Sequence, residues 1–244
     1  MNRNKREVLV ALGYMALMAL AMMTSYFIYG YKYDDIEINN VLAYFEAIMV
    51  LYALIMYGKF CRNKLFKTIK ITPALLIYIV MYCSLIVVYI LEKGYLENLD
   101  ILPKAIITTI FIAISEELVY RGVILSGFLN QNSLIKAVVF SALLFSLLHC
   151  VNVLAGLSFI PLVIQLINTF VNGLVLGCLV IEVHNLIPFI MSHFIWDTVM
   201  LSPSFLNDNI RMLLLILIVE LVLSIILTCR IINQNKYVKG FSIS

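Results

Sequence analysis

Long apolar runs, separated by short polar stretches, follow one another along almost the whole chain. An α-helix needs about 20 consecutive, mostly apolar residues to cross the hydrocarbon core of a bilayer. Runs of this kind predict eight spanning segments, at residues 8–29, 41–57, 73–91, 103–125, 134–151, 159–182, 185–201 and 211–231. The second and seventh are short, which suits tilted or partly buried helices. The pattern therefore predicts an all-α, polytopic membrane helix bundle of about eight transmembrane helices.

The polar stretches leave no room for a soluble domain, a long linker or a low-complexity tract. We therefore predict that residues 1–244 form a single integral membrane domain. Within it we distinguish the first three spans in residues 1–101, a central part in residues 102–202, and the last span with a tail in residues 203–244. The first apolar run is long for the core of a signal peptide, so we expect it to remain as the first span.

Composition agrees with this pattern. The chain is 63% hydrophobic and 13% charged, with a mean hydropathy of +1.03. A soluble domain has about 45–50% apolar and about 25% charged residues. The formal net charge of +3 is too small to indicate nucleic-acid binding. We expect the lipid bilayer to be the surroundings of this protein and expect no nucleic acid among its partners.

The placement of lysine and arginine predicts the orientation. With the N-terminus placed in the cytoplasm, 13 of the 17 basic residues fall in cytoplasmic segments. Cytoplasmic loops carry such an excess, so we predict a multi-pass protein of the cell membrane with both termini in the cytoplasm. The cytoplasmic set is Arg3, Lys5, Arg6, Lys59, Arg62, Lys64, Lys67, Lys70, Arg121, Lys136, Arg230, Lys236 and Lys239.

Two adjacent glutamates interrupt the fourth apolar run. A charged side chain at the centre of a spanning helix costs roughly 2.5–3.5 kcal/mol, so ionisable residues there indicate a functional site. Glu117 and Arg121 are four residues apart, share a helix face and can pair. Glu116 is rotated by about 100° from Glu117 in an α-helix and points elsewhere in the bundle. We interpret Glu117 as structural and Glu116 as available for chemistry; a purely structural Glu–Arg clamp is the alternative.

Two histidines also lie at membrane depth. His149 stands near the end of the fifth predicted span, and His193 and Asp197 are four residues apart on the seventh. An aspartate one turn away can orient an imidazole and set its tautomer. Each histidine taken alone is equally consistent with a hydrogen-bonded interior residue.

Together, these groups on three helices can form a site that activates water. In one form, a glutamate is the general base and the histidines stabilise an oxyanion. In another, Glu116, His149 and His193 are ligands of a divalent metal such as zinc, which holds the water. The helical HExxH metalloprotease motif is absent. The spacing therefore does not decide between a metal-dependent and a metal-free site.

Three motifs in this order resemble a known family. They are Glu116-Glu117-x-x-x-Arg121, Phe145-x-x-x-His149 and His193-x-x-x-Asp197. The pattern is similar to that of the CAAX processing and bacteriocin processing family of intramembrane proteases, also called the Abi family, which includes the Rce1-type prenyl-protein endopeptidases. The resemblance covers residues 102–202, which would be the catalytic core. It implies an endopeptidase, of either metalloprotease or metal-free glutamate type, that acts on membrane-associated or lipidated peptides and proteins.

The resemblance also implies a role for each residue. Glu116 would activate the attacking water with the help of His149. His193 and residue 197 would stabilise the oxyanion. Glu117 and Arg121 would support the site.

One position departs from the pattern of the Rce1-type members, which have asparagine where this chain has Asp197. An ionised aspartate cannot donate a hydrogen bond to an oxyanion. Asp197 can instead orient His193, stay protonated or bind a metal. The departure argues against a strictly prenyl-protein substrate.

Two other function classes use the same residues differently. A non-catalytic immunity or regulatory protein of the membrane would keep the site only as structure. A proton-coupled transporter would use Glu116 and His149 as a proton relay. The chain shows no internal repeat and no paired broken helices, which are features of many transporters. This absence argues against the transporter.

Overall fold

The computed structural model describes residues 3–61, 65–93, 99–130, 132–201, 205 and 208–234. These residues form a helix bundle and contain no β-strand beyond one isolated bridge between Phe66 and Asn185. The helices are α1 (Arg3–Phe27), α2 (Asn39–Phe60), α3 (Pro73–Leu91), α4 (Leu102–Glu116), a π-helix (Glu117–Leu125), α5 (Ser126–Leu129), α6 (Leu134–Leu148), a 3₁₀ segment (His149–Ala155), α7 (Phe159–Val183), α8 (Ile187–Val199) and α9 (Ile210–Gln234). A short 3₁₀ turn (Ile36–Ile38) precedes α2.

Six helices in the described part of the chain are long and apolar enough to cross a membrane. They are Lys5–Phe27, Ile36–Phe60, Pro73–Leu91, Leu134–Ala155, Phe159–Val183 and Ile210–Asn233. The predicted all-α membrane bundle is confirmed. The two remaining predicted spans, 103–125 and 185–201, are helical but include only 15 and 13 residues of regular α-helix. These are the helices that carry most of the polar site.

The second span was expected to be short, and this was wrong. Together with the 3₁₀ turn it forms a continuous helical stretch of 25 residues, Ile36–Phe60. The apolar run starts later than the helix because Asn39 and Asn40 are polar. Asn39 is buried, and its side-chain amide donates a hydrogen bond of 2.8 Å to the carbonyl of Ile36. A satisfied amide of this kind extends the helix beyond its apolar stretch.

The outer surface of the bundle is apolar, as a lipid-facing surface must be. Large side chains such as Leu9, Ile55, Val80, Ile164 and Ile225 are each more than half exposed. Helices that are apolar on all sides are typical of membrane spans, because hydrocarbon surrounds them instead of water. The interior therefore differs from the surface mainly in its polar groups.

Close helix packing positions the segment that carries His149. Helix α6 packs along α7. A Cβ atom on Gly173 would lie 3.0 Å from Cα of Ala142, and one on Gly177 would lie 3.1 Å from Cγ1 of Val138. Small residues allow helix backbones to approach closely in membranes. These two glycines bring α6, and the histidine at its end, close to α7.

An extended segment holds the start of α8. Backbone hydrogen bonds join Leu186 N to the Leu65 carbonyl at 2.9 Å and Lys67 N to the His184 carbonyl at 3.3 Å. His184 ends α7 in a left-handed conformation, with φ of 57°. The chain therefore turns sharply between α7 and α8, and the paired segment fixes that turn.

The three predicted parts of the chain pack on one another. Helix α2 lies against α4, and α9 lies against α7. The orientation of the termini stays a prediction. Several of the basic residues behind it, namely Arg62, Lys64, Lys236 and Lys239, lie outside the described residues.

Candidate active site

The two adjacent glutamates lie where the helix changes its winding. Helix α4 ends at Glu116, and the π-helix begins at Glu117. Both residues have α-helical backbone angles, φ −68° and ψ −45° at Glu116 and φ −65° and ψ −39° at Glu117, which fits the α-helical rotation expected across this pair. Both carboxylates are buried, with 3% of Glu116 and none of Glu117 exposed. Short π-helical stretches occur frequently at functional sites.

Glu117 is the centre of a buried clamp. Its Oε1 accepts hydrogen bonds from Nη1 of Arg121 at 2.9 Å and from Nδ1 of His193 at 3.0 Å. The guanidinium carbon of Arg121 lies 4.1 Å from the centre of the Phe145 ring. A buried charge is tolerated when it is paired and hydrogen-bonded. The clamp thus joins the π-helix to α8 and α6.

His193 faces two further carboxylates with its other nitrogen. Because Nδ1 donates to Glu117, Nε2 is free to face the interior. It lies 3.6 Å from Oε2 of Glu116 and 3.4 Å from Oδ2 of Asp197. Both distances exceed the usual 2.7–3.2 Å of a hydrogen bond. The three groups therefore converge without being tightly bonded to each other.

The tautomer of His149 follows from its backbone contact. His149 starts the 3₁₀ segment after α6, and its Nδ1 lies 3.1 Å from the carbonyl oxygen of Phe145. A carbonyl only accepts hydrogen bonds, so Nδ1 carries the hydrogen. In the neutral ring, Nε2 is then an acceptor.

One aromatic ring holds the two histidines in place. The ring of Phe145 contacts His149 edge-on, with centroids 5.3 Å apart, and His193 edge-on, with centroids 6.0 Å apart. Its remaining face is covered by the Arg121 guanidinium. This explains physically why the motif contains a phenylalanine four residues before its histidine.

The four predicted catalytic residues line one cavity of about 980 Å³ inside the bundle. These are Glu116, His149, His193 and Asp197. Glu117 and Arg121 are not among the described lining residues. The structure thus separates the six predicted site residues into four that face the cavity and two that lie behind it.

The residues do not form a preformed metal site. Within the described ranges, no group of three or more His, Cys, Asp or Glu side chains is arranged to hold a metal ion. Nδ1 of each histidine is already engaged, and Nε2 of His193 faces two carboxylates. A metal held by Glu116, His149 and His193 therefore stays a prediction.

Two buried acids that lie within apolar runs were not predicted as site residues. Glu46 of α2 is fully buried, and its Oε2 lies 3.4 Å from Oγ of Ser115, which in turn lies 2.7 Å from the Tyr14 hydroxyl. Glu220 of α9 is 5% exposed and lines the cavity. Both acids interrupt apolar runs, as Glu116 does. An ionisable residue within an apolar run was the criterion that selected Glu116, and the same criterion applies to Glu46 and Glu220.

A polytopic α-helical bundle with a buried acid–histidine site facing an internal cavity defines the general class of this protein. Residues 98–199 match the family described as type II CAAX prenyl endopeptidase Rce1-like. This match covers less than half of the chain and supports the family predicted from the motifs. Comparison with curated proteins gave no match, and comparison with solved structures gave none either. All six predicted site residues lie in the matched segment.

Proposed function

We propose that this protein is an intramembrane endopeptidase that hydrolyses peptide bonds with a water molecule activated by Glu116. The match of residues 98–199 to the Rce1-like family supports a protease. The observation that carries the assignment to Glu116 is the contrast with its neighbour. Glu116 lines the cavity, whereas Glu117 is not among the described lining residues and its Oε1 accepts hydrogen bonds from Arg121 and His193. A carboxylate on the cavity wall that is not held by such donors is available to accept a proton.

The first chemical step is addition of water to the substrate carbonyl. Glu116 accepts one proton of the water, and Nε2 of His149 accepts a hydrogen bond from its other hydrogen. The water oxygen forms a bond to the carbonyl carbon, and the carbonyl oxygen becomes an oxyanion. Holding the water between two acceptors contributes both proton transfer and orientation.

His193 lies where a donor to the oxyanion is needed. With Nδ1 donating to Glu117, the doubly protonated ring also donates from Nε2. Asp197 lies 3.4 Å from that nitrogen on the same helix. We assign Asp197 to orienting His193, because an ionised carboxylate cannot itself donate to the oxyanion.

The second step completes the hydrolysis. The carbon–nitrogen bond of the tetrahedral intermediate breaks, and the proton held by Glu116 passes to the leaving nitrogen. The immediate products are a peptide with a new carboxylic acid and a peptide with a new amine, and the acid then transfers its proton to the amine or to water, which gives the carboxylate. Glu116 is then ionised again.

The substrates we propose are membrane-associated or lipidated peptides and proteins, such as bacteriocin precursors. The cavity is lined largely by apolar side chains, which suits a substrate that partitions into the bilayer. We further propose that the protein resides in the cell membrane with both termini in the cytoplasm.

The test is hydrolysis by purified protein reconstituted in liposomes with a library of membrane-inserting peptides. Reaction in ¹⁸O-labelled water should place one ¹⁸O atom in the new carboxylate, detected by mass spectrometry. Glu116→Gln should abolish this product while the protein remains folded. Unchanged turnover by Glu116→Gln would contradict the mechanism. Absence of product from every peptide, together with full cellular function of Glu116→Gln, would favour a regulatory protein instead.

A further inference from the structure

A second buried carboxylate lies in the same cavity without a cationic partner. Oε1 of Glu220 accepts hydrogen bonds of 2.8 Å from the Tyr82 hydroxyl and 2.8 Å from the Asn172 amide. Glu220 is 5% exposed. None of the ion pairs between described residues includes Glu220. Two neutral donors therefore hold one oxygen of Glu220, and its charge is not balanced.

The position of Glu220 connects it to the candidate active site. Glu220, Tyr82 and Asn172 all line the cavity that Glu116 and the histidines face. The ring of Tyr82 lies 6.5 Å from that of Trp196, which directly precedes Asp197. A molecule that fills the cavity thus contacts both Glu220 and the candidate active site.

The charges along the cavity wall are nearly all negative. The described lining residues include five carboxylates and no lysine or arginine. The carboxylates are Asp34, Asp35, Glu116, Asp197 and Glu220. The two lining histidines, His149 and His193, lie beside Phe145 at the catalytic end. The cavity therefore offers a cation several anionic partners and no competing lysine or arginine.

We propose that Glu220 forms a subsite that binds a cationic side chain, lysine or arginine, of the peptide in the cavity. The proposal rests on the proposed peptidase function for its occupant, a peptide. A buried charge with no partner is costly, and a cation supplied by the ligand removes that cost. Independently of Glu220, the same cavity is lined by the polar side chains of the candidate active site, Glu116, His149, His193 and Asp197, as a cavity that receives a polar group would be.

The rest of the wall defines the remainder of the ligand. Apolar side chains such as Met22, Leu42, Leu213 and Leu217 line most of the cavity. An apolar pocket with a few placed polar groups selects a ligand with the matching pattern. The substrate class is therefore an apolar, membrane-associated peptide with one basic residue at a fixed distance from the bond that is cut.

Binding in the cavity can be followed by the fluorescence of a native tryptophan. Trp196 is the single tryptophan of the sequence and lines the cavity. We suggest titrating the Glu116→Gln protein, in nanodiscs of uncharged phosphatidylcholine, with two apolar peptides that lack tryptophan and tyrosine. One peptide contains a lysine and the other has norleucine at the same position. Tryptophan fluorescence should report at least about tenfold tighter binding of the lysine peptide, as for close ion pairs at interfaces.

Glu220→Gln in the same background should remove this preference. Glutamine keeps the oxygen that accepts from Tyr82 and Asn172, so a purely structural role of Glu220 would be preserved. The matched control is Asp34→Asn with Asp35→Asn, which removes two charges from the wall and should keep the preference. Equal binding of the two peptides, or a preference that survives Glu220→Gln, would overturn the proposal. Loss of the preference only in the Asp34/Asp35 variant would also overturn it.

The binding assay separates this subsite from the peptidase mechanism. It measures affinity in a variant without the proposed base, so no turnover is required. Lysine-selective binding without hydrolysis by the unmutated protein would leave the subsite intact and contradict the proposed function. Hydrolysis of both peptides at equal kcat/KM would support the proposed function and contradict the lysine subsite.

Discussion

Glu116 and Glu117 are adjacent in the chain, yet they lie in different surroundings. Glu117 accepts two hydrogen bonds of 2.9 and 3.0 Å from cationic or imidazole nitrogens and lies behind the cavity. Glu116 has its nearest basic nitrogen at 3.6 Å and lines the cavity. Each carboxylate has an Oε2 without a hydrogen-bond partner among the described groups, so the two differ in the donors on Oε1 of Glu117 and in the position of Glu116 on the cavity wall.

The sharpest test of this contrast is neutralisation of the cavity-facing acid. Glu116→Gln keeps the size of the side chain and removes the proton acceptor. We expect kcat to fall by about 10²–10⁴-fold, the usual contribution of a general base. The midpoint of thermal unfolding in detergent should change little, since Oε2 of Glu116 has no hydrogen bond to lose among the described groups. A large loss of stability with intact kcat would reverse the roles of the two glutamates.

For the clamp of Glu117 and Arg121 behind the cavity, we expect a large loss of stability on mutation. Arg121→Met removes the guanidinium that pairs with the buried Glu117 carboxylate and leaves His193 as its hydrogen-bond donor, which should lower the free energy of unfolding by about 3–5 kcal/mol. Titration with denaturing detergent in mixed micelles would measure this change. Adding Glu117→Gln to Arg121→Met removes the orphaned charge and keeps an acceptor for His193, so more than half of the loss should return. A cost below about 1 kcal/mol for Arg121→Met would contradict a buried clamp, because such a value is typical of an exposed pair.

The same contrast shows what the sequence could predict. Apolar runs define spans well because hydrocarbon tolerates few other patterns, and each of the eight predicted segments contains a helix. The pairing of Glu117 with Arg121 follows from a spacing of four, which survives the change from α- to π-helix. The contact of His193 with Glu117 was not predictable, because it depends on how α8 packs against the π-helix.

Glu46 and Glu220 were not predicted as site residues, for a different physical reason. Each is a single acid in a long apolar helix outside the matched segment, and no neighbouring motif drew attention to it. Their partners, Ser115 for Glu46 and Tyr82 with Asn172 for Glu220, come from helices far away in sequence. Long-range partners of this kind cannot be read from spacing along one helix.

A smaller catalytic effect is expected at the second acceptor. His149→Phe preserves an aromatic ring beside Phe145 and removes the Nε2 acceptor. We expect kcat to fall by about 10–100-fold, less than for Glu116→Gln, because His149 orients the water and does not take its proton. KM should stay within about twofold. An effect as large as that of Glu116→Gln would instead make His149 the base.

The effect at Asp197 should be smaller again. Asp197→Asn keeps an oxygen that can accept from Nε2 of His193, now 3.4 Å away. Loss of the charge should lower kcat by about tenfold or less, within the range of one hydrogen bond of about 0.5–1.5 kcal/mol. An increase in kcat would show that residue 197 works better as a donor, and would move it from positioning His193 to stabilising the oxyanion. A loss as large as that of Glu116→Gln would make Asp197 part of the proton transfer.

The smallest expected effect is that of metal removal. No group of three or more His, Cys, Asp or Glu side chains within the described ranges is arranged to hold a metal ion. Steady-state hydrolysis should therefore change by less than about twofold after dialysis against a chelator, whereas catalytic metal sites lose activity with their ion. Elemental analysis of the purified protein should find less than one zinc, manganese or cobalt ion per chain. Stoichiometric metal, with activity lost on chelation and restored by that ion, would show that the unpaired oxygen of Glu116 is a ligand. The distinction between the two glutamates would then be between a ligand and a clamp.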